Sequence, residues 1–112
     1  MNKEEIITGF IGELRRGTII LCVLAYLKEE TYGYGLIEKL ANTGIKVEAN
    51  TLYPLLRRLE QQGLLQSLWN TSGAKPRKYY RLTALGQEVL EELKSQWYTT
   101  TSELDQILEE QK

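Results

Sequence analysis

Asn50-Thr51-Leu52-Tyr53-Pro54-Leu55-Leu56-Arg57-Arg58-Leu59-Glu60-Gln61-Gln62 is the stretch on which the fold of this 112-residue chain turns. Leucines 52, 55, 56 and 59 recur at i, i+3, i+4 and i+7, so on a helix they lie within about 50° of one direction and form a buried stripe. The opposite face then carries Asn50, Pro54, Arg57 and Gln61, flanked by Tyr53 and Arg58. No acid stands on it, because Glu60 falls to the side. Pro54 is tolerated only near a helix start, since further in it removes a backbone hydrogen bond and crowds the preceding turn. The helix is therefore expected to begin at Glu48 to Asn50. The positive end of its dipole lies beside Thr51 and Tyr53, a favourable place to meet a phosphate.

Downstream of Gly63, residues Leu64 to Trp69 read as a strand, Asn70 to Pro76 as a flexible turn and Arg77 to Leu82 as a returning strand. The result is a hairpin with a basic tip. Alternation places Arg77, Tyr79 and Arg81 on one face and Lys78, Tyr80 and Leu82 on the other. Two readings of these side chains stand side by side: the tyrosines cover the core while the cations protect an edge strand, or the interleaved basic and aromatic groups touch a partner. Lys75, Arg77 and Lys78 are assigned to the second.

Upstream, Ile6, Ile7, Phe10, Ile11 and Leu14 form one stripe of an amphipathic helix between Glu4 and Leu14. Gly17-Thr18 marks a break. Thr18 to Lys28 is apolar almost all round and reads as the core helix. Thr31 is expected to cap a third helix through Leu36, Ile37, Leu40 and Ala41, which Gly44 ends. Gly33-Tyr34-Gly35 is no phosphate loop, because Glu38 stands where a dinucleotide fingerprint needs its third glycine.

The charge balance sharpens this picture. The chain has 14 basic and 15 acidic residues, yet they are segregated. Residues 46–81 hold seven cations against two carboxylates, a net +5, and residues 82–112 hold two against seven, a net −5. A basic block of this kind suits a polyanion, although the same block could be a solvated face paired with the acidic helix. Composition excludes much else. There is no histidine, one cysteine (Cys22) and one aspartate (Asp105), so most metal sites and nucleophilic triads cannot be built, and neither an enzyme nor a cofactor is expected. Cys22 sits among apolar residues, where a thiol packs as a small hydrophobe. The longest apolar run, Ile19 to Leu27, is nine residues, short of the roughly 20 that a membrane span needs. Met1 to Glu5 lacks the basic start of a signal peptide, which points to the cytoplasm.

Helix, helix, helix, hairpin, with a basic third helix backed by leucine, is the order of a winged helix-turn-helix. That fold lays its second motif helix in the DNA major groove while the hairpin touches the flanking backbone. Asn50, Thr51, Tyr53, Pro54, Arg57 and Arg58 are the candidate groove contacts, and Lys75, Arg77 and Lys78 the candidate wing contacts. The rival reading is a winged-helix module that binds a protein with an acidic surface.

Four separated motifs carry a resemblance: Leu14-Arg15-Arg16-Gly17-Thr18, Tyr32-Gly33-Tyr34-Gly35, Thr51 to Glu60, and Arg77 to Thr83. Together they resemble PadR-type transcriptional regulators over roughly residues 14 to 112. The resemblance implies a dimeric winged-helix repressor of the short subfamily, in which one C-terminal helix makes the dimer. It also implies that Trp97 matches the tryptophan that stacks on flat aromatic compounds at the dimer interface of the lactococcal multidrug-resistance regulator.

The last segment supports dimerisation on its own terms. From the N-cap Thr83 to Gln111 only Gly86 is a weak helix former, which gives a rod of about 43 Å at 1.5 Å per residue. Leu90, Leu93, Trp97, Thr100, Leu104 and Ile107 alternate at three and four along it, a seam that wants a partner helix. A second copy supplies one and places two groove helices about a DNA turn, roughly 34 Å, apart on a pseudo-palindromic operator. Trp97 beside Thr101, with Asp105 two turns on, either walls a flat pocket for a planar aromatic ligand or anchors the dimer by packing. The expected fold is thus mostly α with a small β hairpin, residues 1–82 forming the winged domain and 83–112 the dimerisation helix, in one compact unit.

Overall fold

The computed structural model describes residues 1–110, so Gln111, the expected end of the last helix, lies outside the described residues. The elements run α1 (Lys3–Arg16), α2 (Thr18–Tyr26), β1 (Thr31–Tyr32), α3 (Gly33–Asn42), α4 (Ala49–Gln61), β2 (Leu65–Asn70), β3 (Arg77–Leu82) and α5 (Ala84–Glu110). The winged helix-turn-helix order is present, followed by a long C-terminal helix.

Asn2 caps α1 by accepting a 2.8 Å hydrogen bond from the Glu5 amide, and Glu4 and Glu5 at one end with Arg15 and Arg16 at the other complement its dipole. A hydroxyl-to-carbonyl bond from Thr18 to Arg15 turns the chain into α2. Gly44 (φ +91°) and Gly63 (φ +81°) end α3 and α4 in the left-handed region. Both ends close the same way, with Ile45 N–H donating to Leu40 and Leu64 N–H to Leu59.

One expectation changes. Thr31 does not cap α3. It lies in β1, paired with Tyr80 of β3, while its hydroxyl donates to the Glu29 carbonyl and accepts from Lys39; Tyr32 stands at the N-cap position. The cause is non-local: the free edge of β3 offers Thr31 and Tyr32 backbone partners, which extends the hairpin to a three-stranded antiparallel sheet in the order β1-β3-β2. Helix α4 begins at Ala49, within the expected Glu48 to Asn50, which keeps Pro54 near its start; the Asn50 carbonyl has no i+4 amide to accept from, and the proline is exposed.

The core is largely leucine. Val23 and Leu24 of α2, with Leu27 just past its end, meet Leu36 and Leu40 of α3, Leu52, Leu56 and Leu59 of α4, and Leu65 and Tyr80 of the sheet, all buried, while Leu55 is half-buried. Leu90 closes the same core from α5. It was expected on the partner seam, but the first turns of α5 pack on their own domain and bury it completely. What permits this approach is Gly86, where a Cβ would collide with the Leu64 carbonyl oxygen and sit 2.9 Å from Leu82. Thr83 caps the helix, accepting from the Gly86 amide at 3.0 Å and donating to the Gly63 carbonyl at 2.6 Å.

Candidate nucleic-acid interface

Helix α4 buries its leucines and presents Asn50, Thr51, Pro54, Arg57, Arg58 and Gln61 to solvent. Among the described residues neither Arg57 nor Arg58 has an ion-pair partner, so both guanidinium forks are free to donate. Tyr53 is placed differently. It is half-buried and folds back on α3, its ring 6.1 Å from that of Tyr34 in an edge contact. A Cβ on Gly33 would stand 2.6 Å from its Cε1 and Cζ, so only glycine leaves room for the phenol there. Burial, with Tyr34 and Tyr80 nearby, raises the Tyr53 pKa, which keeps the hydroxyl protonated.

The wing cations differ in freedom. Lys75 is exposed at the tip, close to an Asn70 side chain that accepts from the Ser72 amide and hydroxyl and so shapes the turn. Arg77 is exposed and lies 4.6 Å over the Tyr32 ring, which in turn leans on Tyr79. Lys78 points the other way, 3.7 Å from Glu60 and over the Tyr80 ring, and Glu60 also accepts from Ser67. The two readings of the hairpin therefore divide by residue: Tyr80 is core, Lys78 is tied to α4, and Lys75 and Arg77 remain outward. Trp69, to which the sequence reading gave no role, is 65% exposed on β2 opposite Lys78; the signal for it was an aromatic at the end of a strand beside a basic turn.

A basic, exposed helix face beside a basic wing, on a helix-turn-helix core, is the arrangement of a DNA-binding regulator. The profile of the Transcriptional regulator PadR-like family matches residues 20–92. The chain belongs to that family. It is 50% identical to a PadR family transcriptional regulator from Eggerthella lenta, whose crystal structure superposes with a TM-score of 0.91 over 94% of each chain. A PadR-like transcriptional regulator from Bacillus cereus is 33% identical, with a TM-score of 0.78 over 86% of this chain and 96% of that one. A transcriptional regulator of Mycobacterium tuberculosis is 36% identical over 81 residues, 71% of this chain and 76% of that protein. This PadR-like chain is accordingly a transcriptional regulator.

On α5, beyond the core, the apolar stripe runs on without cover. Leu93, Trp97, Leu104 and Ile107 are all exposed, with Trp97 at 41%. Thr101 is half-buried and donates its hydroxyl to the Trp97 carbonyl at 2.7 Å, and Asp105 is exposed. In the single chain Trp97 stands on an open helix face, so any enclosed pocket there needs walls from another molecule. No described helix is long and apolar enough to cross a membrane.

Proposed function

We propose that this PadR-like regulator is a homodimeric repressor that occupies a pseudo-palindromic DNA operator. Asn50, Thr51, Arg57 and Arg58 of α4 enter the major groove, with Pro54 against them, and Lys75 and Arg77 of the wing hold the flanking phosphates. In this reading Tyr53 sets the pitch of α4 against Gly33, and Lys78 acts from its place beside Glu60. The observation that carries the proposal is the pair of unpaired arginines on a helix face without a carboxylate. Selection from a random-sequence duplex pool is expected to enrich inverted repeats with half-sites about one helical turn apart. Enrichment of no duplex, with capture of an acidic protein instead, would favour the protein-interaction reading.

The dimer rests on uncovered apolar surface. Besides the α5 stripe, α1 buries none of its residues, and Ile6, Ile7, Phe10, Ile11 and Leu14 all face solvent. Monomeric proteins rarely leave contiguous apolar patches of more than a few hundred Å² open. A second copy covers both stripes, and residues Leu93, Trp97, Leu104 and Ile107 form the seam. The acidic outer residues of α5 then stay in water.

Trp97 beside half-buried Thr101 makes the dimer seam the place for a planar aromatic ligand, with Asp105 favouring a cationic one. Titration with planar aromatic compounds is expected to quench tryptophan emission in the wild type and not in Trp97→Ala, where Trp69 supplies the background. Equal quenching in both proteins removes the ligand site and leaves Trp97 a packing anchor.

A further inference from the structure

The joint between α1 and α2 lies beside the outward face of α4, and the two enclose an open groove of about 520 Å³. Its floor is Ile19, Ile20, Pro54 and Leu55, and its rim carries Arg16 from α1 and Arg58 from α4. Among the described residues no carboxylate lines it. Among the described residues neither guanidinium has a hydrogen-bond or ion-pair partner, in contrast to the neighbouring Arg15, which donates to the Gly44 carbonyl at 3.3 Å. Two exposed guanidinium groups on one groove whose lining holds no acid make a place where an anion would be attracted by both. The groove is open and its α4 wall runs from Thr51 to Arg58, about two turns of the helix, so the occupant that fits is an extended anionic chain rather than an enclosed small molecule.

We infer that Arg16 is a DNA-backbone contact, clamping a phosphodiester of the same duplex together with Arg58. This rests on the DNA-binding reading above and extends the interface from α4 and the wing to the end of α1. The Arg15-Arg16 pair then divides its work: Arg15 fastens the joint to the α3–α4 turn, and Arg16 faces the strand.

The test is the salt dependence of binding. Affinities of wild type, Arg16→Ala, Arg16→Lys and Lys94→Ala are measured by fluorescence anisotropy on a duplex selected by the wild type and on a scrambled duplex, over a series of salt concentrations. Each lost phosphate contact makes the negative slope of log K against log salt shallower by about 0.9, so Arg16→Ala in a dimer is expected to make it shallower by about 2 and to weaken both duplexes by the same factor. Arg16→Lys keeps the charge and the slope. Lys94, 3.7 Å from Glu91 on α5, serves as the control, and its removal is expected to leave the slope unchanged. An Arg16→Ala slope equal to that of the wild type overturns the assignment, as does an equal drop in Lys94→Ala, which would reduce the effect to net charge. Absence of duplex binding by the wild type itself overturns the DNA-binding reading along with it. Circular dichroism of each variant verifies the fold.

Discussion

Arg57 stands near the middle of the exposed face of α4, free of any ion pair among the described residues, with buried leucines directly behind it. A guanidinium in that position can donate two parallel hydrogen bonds to the edge of a guanine or to a phosphate, and among the described residues no ion-pair partner competes for it. Arg57→Ala is therefore expected to weaken binding to the selected duplex by about 1 to 3 kcal/mol while leaving the oligomeric state unchanged. A mobility shift at fixed salt reads the first and light scattering the second; an undiminished shift removes Arg57 from the interface. The exposure of Arg57 follows from the leucine period alone, and so it was legible in the sequence. That of Tyr53 was not. Its place on the helical wheel borders the exposed face, and only the missing side chain of Gly33 on another helix draws the ring inward. Glu60 is a similar case: off the basic face as expected, but engaged with Lys78 and Ser67 across the sheet, which no local pattern announces.

Among the elements, α4 and the two strands of the hairpin lie where period and turn residues placed them, because those signals are contained within each segment. Strand β1 escaped because it consists of two residues whose pairing partners, Tyr79 and Tyr80, arrive from the far end of the wing. Helix α5 shows the limit of a periodic reading in another way. One continuous apolar stripe runs along it, yet its first turns, with Gly86 and Leu90, are covered by the chain's own core and the turns from Leu93 onward are bare. The spacing identifies a face but cannot say which surface covers each part of it. A consequence follows for truncation. A chain ending after Gln96 keeps Leu90 and the Gly86 contact, so it is expected to fold to a stable monomer, whereas the full chain sediments or scatters as a dimer. A dimer in the shortened protein would show that the outer half of α5 is not the seam.

Taken whole, the molecule is longer than its mass requires. Its radius of gyration is 16.7 Å and its principal extents are 57 × 35 × 22 Å, against about 13 Å expected for the radius of a compact domain of this length. The excess comes from α1 and the outer half of α5, the two elements with uncovered apolar stripes. The proposed dimer would fill that space and hold two copies of α4 in one arrangement, so affinity for an inverted repeat is expected to depend on the seam as well as on the arginines. In the proposed complex the charges are separated, with the basic block toward the duplex and the acidic helix behind it, an arrangement by which a protein of net charge −1 would bind a polyanion. The whole arrangement depends on the basic face meeting phosphates. Duplex affinity measured by anisotropy between 50 and 200 mM salt tests it most directly, with Arg57, Arg58, Lys75 and Arg77 of two protomers engaged. A fall of about 10³- to 10⁵-fold across that range is expected. An affinity that stays flat with salt, or no binding at the lower concentration, would contradict the account.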